Sequence, residues 1–307
     1  MQAKETMTMS AAQRDGERHG IPAPTYRLPA DTTVGPVRLL VSDLGRSIDF
    51  YQRVLGLRPV DPPADALALA PESGSPVLVR LETRPGLHPA GRRGSLGLFH
   101  FAIRLPDRAS LGRFVAHLAA IGIPAGMSDH LVSEAIYLSD PDGLGIEVYA
   151  DRARSSWSYS AGQLRMATEP LDVRDLVAAG AGQPWTGMPA GTAMGHMHLH
   201  VGDLEIAEAF FHRALGFDKV VWNYPGALFL SAGGYHHHLG TNTWAPAIAP
   251  SPDQARLLSW DLVLPEPTDI GAVVASLEGS GYPVDRDREA AMARDPWGTA
   301  FRLVTTR

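Results

Sequence analysis

The chain has 307 residues, 45% hydrophobic and 20% charged, which suits about two domains with sizeable cores. A formal net charge of -6 argues against a nucleic acid or an anionic membrane as partner, since both need clustered Lys and Arg. With no cysteine, disulfides, thiolate metal sites and cysteine nucleophiles are excluded, and His, Asp and Glu are left as metal-capable side chains.

Residues 1–33 have no apolar core long enough for a signal peptide and no later stretch approaches transmembrane length, so the sequence predicts a flexible N-terminal tail and a cytoplasmic protein. From residue 34 a pattern begins and recurs. A short alternating strand (VRLLV) is followed by an amphipathic helix with an Asp or Ser cap, then by β-branched and Gly-rich strand segments. The pattern restarts near 99, near 195 (HMHLHV) and near 258, which predicts four βαβββ units. Two lie in a first domain, 34–150, and two in a second, 193–307. The linker between them, 151–192, carries EPLDVRDLVAAG and is expected to hold one helix.

The two halves are repeats of each other. VSDLGRSIDFYQRVLGL at 41–57 aligns without gaps with VGDLEIAEAFFHRALGF at 201–217, and FHFAIRLPDRASLGRFVAHLAAIGIP at 99–124 aligns with LSWDLVLPEPTDIGAVVASLEGSGYP at 258–283. DPDGLGIEVY from 140 and DPWGTAFRLV from 295 close each half with a turn and a strand. Asp and Pro followed by Gly is turn chemistry and reads as scaffold.

Eight of the twelve histidines fall in four short places: His100, His130, the set His196, His198 and His200, and the run His236, His237 and His238. Side chains alternate across a strand, so His196, His198 and His200 share one face, as do Glu147 and Tyr149. Two imidazoles and one carboxylate form a facial triad with three adjacent positions free, the arrangement a ferrous centre uses for a bidentate substrate and dioxygen. Spacing alone does not choose the three. At the start of the first strand of the four units stand Pro36, His100, His196 and Ser259, and on the closing strands stand Glu147 and Arg302. Only His100, His196 and Glu147 among these can bind a cation. A strand register shifted by two would put His198 or His200 in the place of His196. The remaining histidines, His19, His88, His117 and His212, receive no functional assignment.

At these residues the chain resembles the vicinal oxygen chelate superfamily, which includes glyoxalase I and the type I extradiol ring-cleaving dioxygenases. LFHFAIRLPDR, SDHLVSEAIYLSDPDGLGIEVYADR, GHMHLHVGDL and GGYHHHLGTN look like the bacillary catechol-2,3-dioxygenase group. The resemblance spans roughly 34–305. It implies an α+β fold in which the βαβββ units form two cup-shaped mixed β-sheets with helices outside. It also implies metal ligands at His100, Glu147 and His196, a strand histidine acting as acid/base at His237 (His236 or His238 being alternatives), and second-sphere roles for Tyr137, Asp129 and His130. Asp129, His198, His200, His236 and His238 are expected around the substrate.

One departure has a structural consequence. Two-domain extradiol enzymes usually take all three ligands from the third and fourth units, whereas here they come from the second and third. Crossed pairing is therefore expected, unit two with unit three and unit one with unit four, which leaves the second cup without a metal. The implied reaction is insertion of both atoms of O2 into a catechol-type aromatic diol at Fe(II), with Mn(II) accepted by the same ligands. The expected partners are a small aromatic diol and O2, with no nucleic acid and no membrane, and a homo-oligomer stays open. Rival readings are a glyoxalase-like isomerase or thiol transferase, which would carry an additional carboxylate or glutamine ligand, and a metal-free protein that binds an aromatic compound or an antibiotic.

Overall fold

The computed structural model describes residues 19–60, 67–91, 94–286 and 291–305. Four βαβββ units follow one another. The first has strand β1 (Thr33–Leu40), helix α1 (Leu44–Arg53) and strands β2 (Arg58–Val60), β3 (Leu67–Ala70) and β4 (Val79–Glu82). The second has β5 (Gly97–Arg104), α2 (Arg108–Ala120), β6 (Gly126–Asp129), β7 (Ser133–Ser139) and β8 (Gly145–Asp151). A connecting stretch carries the two-residue strands β9 (Tyr159–Ser160) and β10 (Gln163–Leu164) and helix α3 (Val173–Ala179). The third unit has β11 (Ala193–His200), α4 (Leu204–Ala207) running on into a wider π-helical segment (Glu208–Ala214), then β12 (Asp218–Val221), β13 (Ala227–Ser231) and β14 (Leu239–Asn242). The fourth has β15 (Arg256–Leu264), α5 (Pro267–Gly279), β16 (Val284–Arg286), β17 (Ala291–Arg294) and β18 (Ala300–Thr305). No helix among the described residues is long and apolar enough to cross a membrane.

Each unit's helix starts where a side chain satisfies the orphan N–H groups of its first turn. Asp43 accepts from Arg46 N at 2.9 Å, Asp107 from Ser110 N at 2.7 Å, and Asp203 from Ile206 N at 2.9 Å. The fourth helix departs from the expected Asp or Ser. Glu266 caps it through a capping box with Asp269, with Pro267 in the first turn. The predicted turns also form. Asp140 accepts from Asp142 N and Leu144 N, Asp295 from Trp297 N and Thr299 N, and Gly143 and Gly298 take φ values of 83° and 90° that favour glycine.

The units pair crosswise. One eight-stranded sheet runs β12-β13-β14-β11-β5-β8-β7-β6 and joins units three and two; the other runs β16-β17-β18-β15-β1-β4-β3-β2 and joins units four and one. The antiparallel pair β5–β11 is the seam of the first sheet and β1–β15 of the second. In the first sheet Phe101, Ile103, Ile146 and Val148 point to the core and pack in one cluster with Leu111, Phe114, Val115 and Leu118 of α2. The alternate side chains are thereby turned to the opposite face, where the site lies.

Residues 19–33, expected as tail, are instead docked on unit three. Ile21 bridges Lys219 through its backbone, Leu28 is buried with its N–H on Gly216 O at 2.9 Å, and Arg27 forms a fork onto Asp218. A buried leucine and a two-pronged Arg–carboxylate pair offset the entropy lost on ordering this segment. Residues 1–18 lie outside the described residues.

Candidate metal centre and its cavity

Sheet register builds the site. In the parallel pair β5–β8, Ala102 lies opposite Glu147; in β5–β11, Ala102 lies opposite His196; and in β7–β8, Tyr137 lies opposite Glu147. Tyr137, Glu147, Ala102 and His196 therefore form one row across four strands on one face. His100, two residues from Ala102, shares that face and stands opposite His198. The small side chain of Ala102 leaves room for the longer ones around it to converge.

They do converge. One ligand atom from each of His100, Glu147 and His196 lies within 4.8 Å of the others, and all three residues are buried. Glu147 Oε2 is 3.0 Å from His100 Nε2 and 3.2 Å from His196 Nε2. Burial works to raise the Glu147 carboxyl, but the two imidazoles outweigh it and hold the group well below the usual carboxylate range. Burial pushes His100 and His196 below the ordinary imidazole value although Glu147 pulls the other way. The result is two neutral imidazoles around one carboxylate.

A metal fits this set. His100 Nε2 is buried and, although 3.0 Å from Glu147 Oε2, is not aligned for a hydrogen bond to it, a costly state that a cation at the convergence point removes. Soft ligands are absent, so the donors suit Fe(II), Mn(II) or another borderline-to-hard divalent ion. His196 Nδ1 is also buried without a partner, so this ring is held by packing, 4.0 Å from His237 and 5.1 Å from Tyr149 between ring centres. Among the described residues this is the one group of three metal-capable side chains that converges. In the second sheet the matching positions hold Ser259 and Arg302, and Asp261 replaces Ala102. Arg302 donates to Asp261 at 3.1 and 3.3 Å, so an ion pair fills that cup.

Above the triad is a cavity of about 230 Å³, walled by Phe99, Phe229 and Trp244 and reached by His100, His198, His237, Tyr137, His130 and Glu147. Tyr137 donates from its hydroxyl to His130 Nε2 at 2.6 Å, because His130 uses its Nδ1–H on Ala167 O, also at 2.6 Å. Burial and then the Glu147 charge push the Tyr137 hydroxyl well above its ordinary value, so it stays protonated. Burial and then the surrounding imidazoles push His237 well below its own, so it is a neutral proton acceptor. His198 Nε2 accepts from Asn242 Nδ2 at 2.9 Å, while Asn242 Oδ1 accepts from Trp244 N and from His200 Nδ1.

Four of the residues expected around the substrate do not line this cavity. Asp129 is held by Arg152 at 2.6 Å and by Leu131 N, and does not line the cavity. His200 packs on Phe99 and lines an adjoining cavity that shares Phe99, His100, Tyr137 and Trp244 with the first. His236 is fully buried between His237 and Asp151, and His238 accepts from Ala232 N across the turn between β13 and β14. The run, expected in a strand, lies instead in the turn that leads into β14 (Leu239–Asn242), and of its three histidines His237 lines this cavity. His117 and His212 satisfy backbone carbonyls, of Arg53 and Phe217. Sequence reasoning missed the aromatic walls and the roof, where Met166, Ala167 and Thr168 cross over the cavity. The roof is pinned by Gln163, which accepts from Trp222 N and Asn223 N, and no periodic pattern signals such a loop.

Paired βαβββ units forming curled eight-stranded sheets, with a His–Glu–His cluster on one face, define a vicinal oxygen chelate protein. The chain belongs to the glyoxalase/bleomycin resistance protein/dioxygenase superfamily, whose family model matches residues 33–148. It is 42% identical to the catechol-2,3-dioxygenase of Bacillus subtilis (strain 168) over 276 residues, 88% of this chain and 96% of that protein. Two solved structures share the fold. One, from Bacillus subtilis subsp. subtilis str. 168, is provisionally named a dioxygenase (14% identity, 91% of this chain and 86% of that one, TM-score 0.60). The other is glyoxalase I from Zea mays (18% identity, 90% and 92%, TM-score 0.54).

Proposed function

We propose that this chain is an extradiol ring-cleaving dioxygenase that inserts both atoms of O2 into a catechol-type aromatic diol, at a mononuclear Fe(II) or Mn(II) site held by His100, Glu147 and His196. The observation that carries this reading is the buried triad, with an orphaned imidazole nitrogen, opening into a small aromatic-walled cavity that also holds a neutral histidine and a protonated tyrosine. The 42% identity to a protein named catechol-2,3-dioxygenase supports it. At about 230 Å³ the cavity is below the roughly 300–1,000 Å³ of drug-sized ligand sites, which suits a single substituted ring.

When bound, the metal supplies Lewis acidity toward the diol oxygens and redox coupling to dioxygen. The protein's residues do the rest. Phe99, Phe229 and Trp244 hold the ring and exclude water. His237, neutral and facing the cavity, takes a diol proton and returns it later as general acid. Tyr137, anchored to His130, orients the diol through its hydroxyl oxygen. With one carboxylate among its ligands, the site would leave a bound divalent cation one positive charge in excess of neutral, which suits a monoanionic diol. The reading places the enzyme in the cytoplasm.

Metal analysis of anaerobically purified wild type and Glu147→Ala tests the site. About one iron or manganese per chain in the wild type, lost in the variant, is expected. A variant that keeps its metal contradicts the ligand assignment.

A further inference from the structure

We infer that Asp151 and His236 are positioning residues for His237: through two hydrogen bonds in series they hold its ring with the proton on Nδ1 and the bare Nε2 turned to the cavity. The inference rests on the proposed function for its consequence, but its geometry stands by itself.

The series is read from the end whose donor is unambiguous. Asp151 is a carboxylate that receives bonds only: Tyr235 Oη donates to both of its oxygens at 3.0 Å, and Arg104 Nη1 lies 3.6 Å from Oδ2. Tyr149 in turn donates to Tyr235 at 2.6 Å, so the Tyr235 proton is committed to Asp151. His236 Nε2 lies 2.9 Å from Asp151 Oδ1 and must donate there. With that proton on Nε2, the singly protonated form of the His236 ring has its lone pair on Nδ1. That nitrogen is 2.8 Å from His237 Nδ1, so His237 is the donor of this second bond. His237 Nε2 is left without a proton, and His237 is the member of the three-histidine run that lines the cavity. His236 has no exposure to solvent, so water offers it no alternative partner. Its ring is further wedged against Tyr235 at 4.1 Å and Trp157 at 5.7 Å between centres. Reversing the Asp151 end, by presenting a donor in place of the carboxylate, would reverse both tautomers and place a proton on the nitrogen that faces the diol.

The arrangement explains why three histidines stand in a row. The first fixes the tautomer, the second meets the substrate, and the third, His238, braces the hairpin by accepting from Ala232 N. It also separates Asp151 from the ligand Glu147 on the same strand β8, since four residues along that strand the face is the same but the partners differ.

The test uses the full chain labelled with 15N-histidine, loaded with zinc as a diamagnetic ion, in wild type, Asp151→Asn and Asp151→Glu. The His237 resonance is identified by its loss in His237→Gln. Expected in the wild type is a neutral His237 protonated at Nδ1. In Asp151→Asn that signature shifts to the Nε2–H tautomer or averages between the two, and Asp151→Glu restores it in part. In the iron-loaded protein Asp151→Asn should lower kcat by about 10–100-fold with KM and metal content little changed, as expected for an orienting group rather than a binding one. A thermal melt accompanies each variant. If Asp151→Asn fails to fold, His236→Gln, which breaks the series at the next link, must give the same loss of kcat with metal retained. A wild-type His237 protonated at Nε2, or an Asp151→Asn protein with unchanged tautomer and kcat, overturns the inference. Absence of any wild-type activity on catechols, with the wild-type tautomer as stated, would count against the proposed function and leave this assignment intact.

Discussion

Burial makes His237 a poor place for a positive charge, so it reads as a base that is neutral at rest, and its removal should affect chemistry more than binding. His237→Gln is expected to lower kcat by about 10²–10⁴-fold, the usual span for a lost general acid/base, while metal content stays at about one per chain. Steady-state kinetics paired with metal analysis checks this, and loss of metal in the variant would make His237 a ligand instead. Tyr137 and His237 line the cavity, and both were singled out only through the resemblance, since no periodic pattern marks them. Asp129 is held by Arg152, 23 residues away, and no local pattern shows which cation will claim a carboxylate. Phe99, Phe229 and Trp244 were passed over because an aromatic in a strand more often belongs to the core. Which face it takes depends on register, and that depends on partner strands far along the chain.

At the scale of strands and helices, two glycines give opposite predictions. Gly195 in β11 lies against Tyr149, and a Cβ there would come 2.0 Å from the Tyr149 hydroxyl oxygen. Gly195→Ala should therefore destabilise the fold by about 1–3 kcal/mol through overpacking and push Tyr149 away from Tyr235. Gly271 in α5 has nothing within 4 Å of such a Cβ, so Gly271→Ala should raise stability by up to about 1 kcal/mol, the intrinsic helix preference for Ala. Urea denaturation of both variants reads the two signs. The βαβββ order, the helix caps and the DPDG and DPWG turns were legible, because each depends on side chains within a few residues. The π-helical continuation of α4 was not, since the gap-free alignment with the first unit predicts an ordinary helix. The roof was not legible either, because Met166, Ala167 and Thr168 reach the cavity through Gln163's grip on unit three, a long-range contact.

Across the whole molecule, seven histidines (100, 196, 198, 200, 212, 237 and 238) are held below the ordinary value of 6.5, with burial the largest cause in each. A group whose folded value is depressed takes up its proton later than in the unfolded chain, so stability is full above pH 6.5 and is lost as pH falls below it. Each contributes up to about 1.4 kcal/mol per pH unit in that window. Among the described residues three buried carboxyls oppose this, Asp140 raised to about 7, Asp295 to about 6, and Asp261 upward, and these gain stability as pH falls. Seven against three leaves acid destabilisation the winner. Urea titrations of metal-stripped protein should show stability falling from pH 6.5 toward pH 5, and a flat or rising profile would contradict the buried, neutral state of the histidine cluster.

The crossed pairing of units was itself legible at this scale. Ligands drawn from the second and third units can meet only if those two units share a sheet, and the strand order β14-β11-β5-β8 meets that requirement. The choice of diol was not legible, because the cavity walls come from elements whose positions follow from the assembled sheets. The central claim is that this assembled cavity cleaves an aromatic diol with dioxygen. Its most direct test is reaction of the iron-loaded protein with catechol under 18O2, followed by mass analysis of the product. The account predicts catechol-dependent oxygen uptake and a yellow ring-opened product that carries both labelled atoms. A protein that holds its metal yet consumes no oxygen with a panel of catechols, or a ring-opened product whose carboxylate carries no labelled atom, would contradict it.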